Sequence, residues 1–289
     1  MARTGNKKNV VACRRMRTEI ERNGAKGMDE QIKQDLLKAV TLSEALPYIR
    51  DFNGKTIIIQ YDGQKVDSEI GLSLIEDIAL LKTIGMRVII IQNNNDKDLV
   101  KELGKCGVMS IGISGKDGHI IRVEKKRGMM RVGESAVDIK GVDTLLLKTL
   151  IEKEYVPVLE AVGVDDEFQH YSLDLEETAF EIAMAMQVEK LVFLSETEGI
   201  YKDPEIRTEV YSHICLEELK KKNEKGLVGG GFLPRISKCI EAVENGVGRI
   251  HIVTGKKKHS LLLELFTVCG IGTAIINSED DKYAHELGK

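Results

Sequence analysis

Four short stretches gather the polar and ionisable residues with which this chain could bind and process a ligand. They are Gln60-Tyr61-Asp62-Gly63, Gln92-Asn93-Asn94-Asn95, Ser114-Gly115-Lys116-Asp117-Gly118 and Ser195-Glu196-Thr197-Glu198-Gly199. Amides, carboxylates and glycines dominate them, and each follows a short aliphatic, β-branched run. Metal chemistry is not expected. Cys13, Cys106, Cys215, Cys239 and Cys269 are widely spaced with no CxxC pair, and His119, His170, His213 and His251 lack ligand spacing. An odd, scattered set of cysteines also argues against a disulfide framework and for a reducing compartment.

The elements that must hold these loops alternate in type. Thr56–Gln60 and Arg87–Gln92 read as buried strands, followed by strands at Met109–Ile113, Val156–Leu159, Lys190–Leu194, Ile250–Val253 and Thr273–Ile276. His119–Lys125 is expected to pair with a later strand. Helices are expected at 28–49, 68–84 (Ser68 as N-cap, Gly85 past the end), 96–105, 143–153, 176–186, 216–222, 233–245 and 259–266. Strands and helices taking turns over short connections specify an α/β fold with a mainly parallel central sheet. Ligands in such folds sit beyond the C-terminal ends of the strands, which is where the four polar stretches lie.

Composition narrows the partners. Of 289 residues, 42% are hydrophobic and 30% charged; 42 Lys and Arg face 46 Asp and Glu, a net charge of −4. Without a basic surplus, no nucleic acid or anionic lipid partner is expected, and no apolar run reaches bilayer length. Residues 1–27 read as a basic flexible tail with Arg3, Lys7, Lys8, Arg14, Arg15 and Arg17. Residues 28–50 form an amphipathic helix suited to oligomerisation, and 51–289 a single domain. A cytoplasmic location is expected, organellar if the tail is a transit peptide.

Several segments resemble the N-acetylglutamate kinase branch of the amino acid kinase family. Leu42–Ile59 (LSEALPYIRDFNGKTIII) is similar to the family's N-terminal helix and first strand, and Ile113–Gly118 (ISGKDG) to its mid-domain turn. Leu194–Asp203 (LSETEGIYKD) is similar to the nucleotide segment LTDVxGxxxD, and Gly230–Arg235 (GGFLPR) to GGMIPK. His259–Ile275 is similar to the family's C-terminal end. The resemblance spans residues 40–276. It implies a three-layer αβα sandwich and phosphoryl transfer from ATP, with Mg²⁺, to a carboxylate. Such a reaction needs no general base and proceeds by positioning and electrostatic stabilisation.

This chain departs from the family motifs at the catalytic positions. KxGG reads Gln60-Tyr61-Asp62-Gly63, so the lysine is an amide and one glycine a carboxylate. HGGG reads Gln92-Asn93-Asn94-Asn95, and the asparagine side chains fill space that phosphate needs. NxNAD reads Ser172-Leu173-Asp174-Leu175-Glu176, with Glu176 in place of the aspartate that orients the lysines. The lysine of GGMIPK is Arg235, a planar fork instead of a point charge. Asn95 also runs almost directly into Asp96–Gly107, so the family's substrate lid, its arginine and most of a dimerisation helix are missing. Retained are Ser195, Glu196, Gly199, Asp203, Gly230 and Gly231 of the nucleotide site. Tyr48, Lys202, His259 and Glu264 fall on the arginine-site positions of arginine-inhibited members.

The resemblance with these departures implies a pseudokinase with a regulatory or structural role linked to arginine biosynthesis. ATP·Mg²⁺ binding would be weak. It would assemble with itself or with an active acetylglutamate kinase, with arginine as a candidate ligand. The alternatives are an active kinase with a rewired site and a metabolite-binding module. Each position also has a purely structural reading: Gln60 capping a strand, the asparagines forming an ordinary turn, Tyr48 in a core, His259 at a helix start, Lys202 and Asp203 in a turn.

Overall fold

The computed structural model describes residues 30–61, 68–93, 98–126, 136–203, 205–227, 233–267, 270–281 and 283. The chain divides into two compact units, residues 1–53 with 280–289, and residues 54–279.

Helix α1 (Glu30–Phe52) belongs to the first unit and runs through Pro47. At its C-terminal end Tyr48 meets Phe52 edge-on at 6.2 Å, and Phe52 meets Tyr283 at 5.5 Å. Ile32, Leu36, Leu42 and Leu46 are exposed along it.

In the second unit the order is β1 (Thr56–Tyr61), α2 (Glu69–Thr83), β2 (Arg87–Gln92), α3 (Leu99–Lys105), β3 (Ser110–Ser114), β4 (Ile121–Lys125), β5 (Val137–Val142) and α4 (Leu145–Glu152). There follow β6 (Val156–Glu160), β7 (Val162–Val164), β8 (His170–Ser172), α5 (Leu175–Met186), β9 (Lys190–Ser195), β10 (His213–Cys215) and α6 (Leu216–Glu224). The unit ends with α7 (Leu233–Glu244), β11 (Arg249–Thr254), α8 (Ser260–Leu265) and β12 (Thr273–Ile276).

Eight strands form the central sheet in the order β10-β12-β11-β9-β1-β2-β6-β3. Every pair is parallel except β11 with β12. The mainly parallel α/β architecture expected from the alternation is therefore observed. Parallel strands covered on both faces read as unbroken aliphatic runs, and β1 and β2 are buried from Ile57 and Val88 onward. On one face Ile58, Ile89, Ile91, Leu191 and Phe193 join a core with Phe180, Ala179 and Ala183 of α5. Phe180 and Phe193 lie 4.8 Å apart, centroid to centroid. Ser68 caps α2 as expected, its hydroxyl accepting from the Gly71 N–H at 3.0 Å.

A second sheet, β5-β4-β7-β8, was not foreseen as a sheet. The strand expected over 119–125 is β4; it pairs antiparallel with β5 and touches β7 through Arg122 and Val164. Strands β7, β8 and β10 are three residues long, too short to show a period, and β8 (His170-Tyr171-Ser172) is polar.

Candidate functional site

Register carries the polar loops to one edge. Tyr61 aligns with Gln92, Gln92 with Glu160, and Glu160 with Ser114 at the C-terminal ends of four neighbouring parallel strands. Ser195 aligns with Thr254 on the other side of β1. Gln60 aligns with Ile91 and Phe193, so it lies on the face that carries α5. Both Gln60 and Gln92 are buried, while Asn93 is exposed.

Helix α5 packs on β1, β2 and β9 and against α7. Its start is set by Asp174, whose Oδ1 accepts the Glu177 N–H at 2.8 Å, an N-cap that orders the first turn. Glu176 lies in that turn, where the helix dipole favours a carboxylate, and forms an ion pair with Arg235 in the first turn of α7. The structure thus brings Glu176 and Arg235 together. Ser172 ends β8, paired with Val162. One turn along α7 from Arg235, Cys239 is fully buried; burial and the Glu176 charge push its thiol up, so it is an inert packing residue.

The stretch Ser195–Asp203 leaves β9 and is fastened by its own side chains. Ser195 Oγ accepts the Thr197 N–H at 3.1 Å. Gly199 has φ +143°, and a Cβ there would stand 2.5 Å from Thr273 Oγ1. Thr273 Oγ1 accepts the Ile200 N–H at 2.9 Å. Glu196 is exposed, 3.8 Å from Lys256. Lys202 pairs with Glu209 at 2.9 Å. Asp203 Oδ1 accepts the N–H groups of Ile206 and Glu205, which hold its carboxyl below the usual range.

The C-terminal residues are differently employed. His259 Nδ1 lies 2.7 Å from the buried Asp77 of α2. Glu264 is buried: Oε1 contacts His251 Nδ1 at 2.8 Å, and Oε2 accepts the Ile271 and Gly272 N–H groups, each at 2.9 Å. Burial alone would raise the Glu264 carboxyl, but these hydrogen bonds hold it below its ordinary value. His251 Nε2 faces Lys190 Nζ at 3.4 Å; burial first, and then the lysine charge, push its imidazole down. Tyr48 belongs to the first unit. Asp62, Gly63, Asn94, Asn95, Gly230 and Gly231, and the tail 1–27, lie outside the described residues.

Sequence reasoning missed the line Lys190–His251–Glu264. The signal was available: in RIHIVT every residue of β11 is buried, so His251 had to find partners in the core. Among the described residues no group of three or more His, Cys, Asp or Glu could hold a metal, and no helix is long and apolar enough to cross a membrane.

A doubly covered, mainly parallel sheet with polar loops along its C-terminal edge is the frame of a small-molecule-binding α/β protein. Comparison with known proteins specifies which. Residues 92–254 match the model of the amino acid kinase family. The chain is 33% identical to the acetylglutamate kinase of Brachyspira hyodysenteriae, over 82% of this chain and 96% of that one. It is 36% identical to that of Campylobacter jejuni subsp. doylei, over 83% and 98%. Among solved structures, N-acetylglutamate synthase from Neisseria gonorrhoeae, complexed with coenzyme A and L-arginine, superposes with a TM-score of 0.70 at 22% identity. That match covers 83% of this chain and 65% of the synthase chain. Carbamate kinase from Giardia lamblia matches at 0.58 and 13% identity, over 78% and 99%. The chain belongs to the acetylglutamate kinase branch of the amino acid kinase family. It is also shorter than its relatives inside the shared region. The Brachyspira match runs over 276 positions, but 82% of this chain's 289 residues is about 237, so about 40 positions have no counterpart here.

Proposed function

We propose that this chain is a catalytically degenerate acetylglutamate kinase homologue with a regulatory or structural role tied to arginine biosynthesis. The observation that carries the reading is Gln60, a buried, uncharged amide at the end of β1 where the family motif has a lysine. Phosphoryl transfer to a carboxylate depends on cations that neutralise the transferring group. Losing one such group costs about 10²–10³ in rate. Arg235, which stands for the second lysine, has a carboxylate partner in Glu176. Asp62 and the asparagines Asn93–Asn95 add to the effect, as does the shortfall of about 40 positions, which this reading assigns to the lid after Asn95.

The relatives' activity implies ATP, with Mg²⁺, as ligand. The retained Ser195, Glu196, Gly199 and Asp203 suit the adenosine end, while Gln60 and Asp62 do not suit the phosphates. The reading therefore includes weak nucleotide binding without preference for the terminal phosphate. Assembly through the exposed leucines of α1, with itself or an active acetylglutamate kinase, belongs to the same reading. So do arginine as a candidate ligand and a cytoplasmic location. A rewired active kinase is the second reading, favoured by the Glu176–Arg235 pair, which keeps a cation beside the acid. An ATP-turnover assay with N-acetylglutamate decides between them. No turnover above a blank is expected, in the natural chain or in Gln60→Lys; turnover at about 1–10³ s⁻¹ refutes the reading.

A further inference from the structure

The buried carboxylate of Glu264 is connected to the Ser195–Asp203 stretch by an unbroken series of short contacts. Its Oε2 takes two consecutive backbone donors, Ile271 N–H and Gly272 N–H, both at 2.9 Å. The turn approaches so closely that a Cβ on Gly270, at φ +61°, would stand 2.4 Å from that same oxygen. The next residue, Thr273, is fully buried and uses its hydroxyl as acceptor for the Ile200 N–H at 2.9 Å. Gly199 lies against the same threonine, with room for no side chain. On its other side Glu264 is fixed by His251, whose remaining nitrogen faces Lys190. With Lys190 donating to Nε2, the imidazole carries its proton on Nδ1 and donates it to Glu264.

We infer that Glu264 is a positioning residue for the Gly199–Lys202 turn, acting through the 270–273 segment and the Thr273 hydroxyl. A carboxylate suits this task. It accepts two parallel N–H donors and a third from an imidazole, and charge-assisted bonds are about twice as strong as neutral ones. The strands β9 and β11 that hold Lys190 and His251 are paired over six residues. The turn between Ser195 and Asp203, by contrast, carries exposed residues; beside its own side-chain bonds and the Tyr201–Val210 bridge, the Thr273 hydroxyl ties it to the 270–273 segment. The inference rests on reading that turn as the nucleotide segment only for its consequence, not for the coupling itself.

Amide hydrogen exchange resolved by residue tests the coupling. Glu264→Gln replaces an acceptor oxygen with an amide. Exchange at Ile271 and Gly272 is expected to quicken, and the increase is expected to extend to Ile200. Thr273→Val deletes the relaying hydroxyl. It is expected to quicken Ile200 by about five- to tenfold, the worth of one hydrogen bond, while leaving Ile271 and Gly272 as they were. Thr273→Ser keeps the hydroxyl and is expected to exchange like the natural chain at Ile200, which a general loosening of the core would not allow. An increase in Glu264→Gln that stops at Gly272 overturns the inference. So does an unchanged Ile200 in Thr273→Val, a variant that still decides the matter if Glu264→Gln does not fold. Calorimetry with ADP is the separate arm. If the natural chain binds ADP, Thr273→Val is expected to weaken it and Thr273→Ser to restore it; binding unmoved by Thr273→Val overturns the positioning role. If the natural chain binds no ADP, the nucleotide reading fails, and the exchange result still upholds or overturns the coupling.

Discussion

Replacing Lys190 by methionine removes the buried cation that faces His251, whose other nitrogen meets the Glu264 carboxylate. Lys190 is 1% exposed, and the His251 and Glu264 side chains are 5% and 2% exposed. Removing one charged member of such a buried network costs about 3–5 kcal/mol, because the His251 and Glu264 side chains keep their burial without the cation. A loss of that size lowers the thermal midpoint by roughly 6–20 °C in a chain of this size class. The effect on pH dependence is more specific. At 3.4 Å, a protonated His251 would repel the lysine by about 5 kcal/mol at an effective dielectric of about 20. The native imidazole is therefore pushed down, by burial first and by Lys190 second. Below about pH 6.5 the unfolded chain takes up a proton at His251 that the native state refuses, so stability is present above that value and falls as pH falls. Without Lys190, burial still depresses the imidazole, but less. Lys190→Met is expected to be less stable at pH 7 and to lose stability less steeply between pH 7 and 5. Denaturant unfolding by circular dichroism at several pH values measures both. A variant within about 1 kcal/mol of the natural chain, with the same slope, would refute the reasoning.

Three further expectations follow from named contacts. Ser68→Ala should cost about 1 kcal/mol through loss of the α2 cap, read by denaturant unfolding; no change would mean that the Gly71 N–H is satisfied otherwise. Gly199→Ala places a methyl 2.5 Å from Thr273 Oγ1 at a backbone angle that alanine resists, and should cost more than Ser68→Ala; an equal or smaller loss counts against the tight approach. Leu42→Glu with Leu46→Glu changes two exposed positions of α1 and should leave the fold intact while splitting any assembly made through that helix. An unchanged mass by light scattering would exclude α1 as the contact.

The central sheet was readable because its strands are buried on both faces and announce themselves as TIII and RVIII. The helix after β1 was readable to within a residue because a serine cap and a glycine bracket it. The pairing of Glu176 with Arg235 was within reach only through family resemblance, since nothing in local spacing joins residues nearly sixty positions apart. Of the small sheet only β4 was legible: β7 and β8, at three residues, have no period, and the pairing of the only partly buried β5 is decided by tertiary context. The buried histidine escaped for a related reason. A single polar residue in an aliphatic strand has no periodic signature, and its partners come from β9 and α8.

Strand β1 lies between β2 and β9, pairing Ile57 with Val88 on one side and with Lys190 on the other. The first neighbour is synthesised soon after β1 itself; the second emerges more than a hundred residues later. Until it does, a strand with an Ile57–Ile59 core presents one row of unpaired amides to whatever else is in solution. Distant pairings of this kind slow folding and prolong exposure to misassembly. Substitutions that weaken β9 should therefore lower the yield of folded chain by more than their equilibrium cost, whereas equal losses in β3, at the far edge of the sheet, should not.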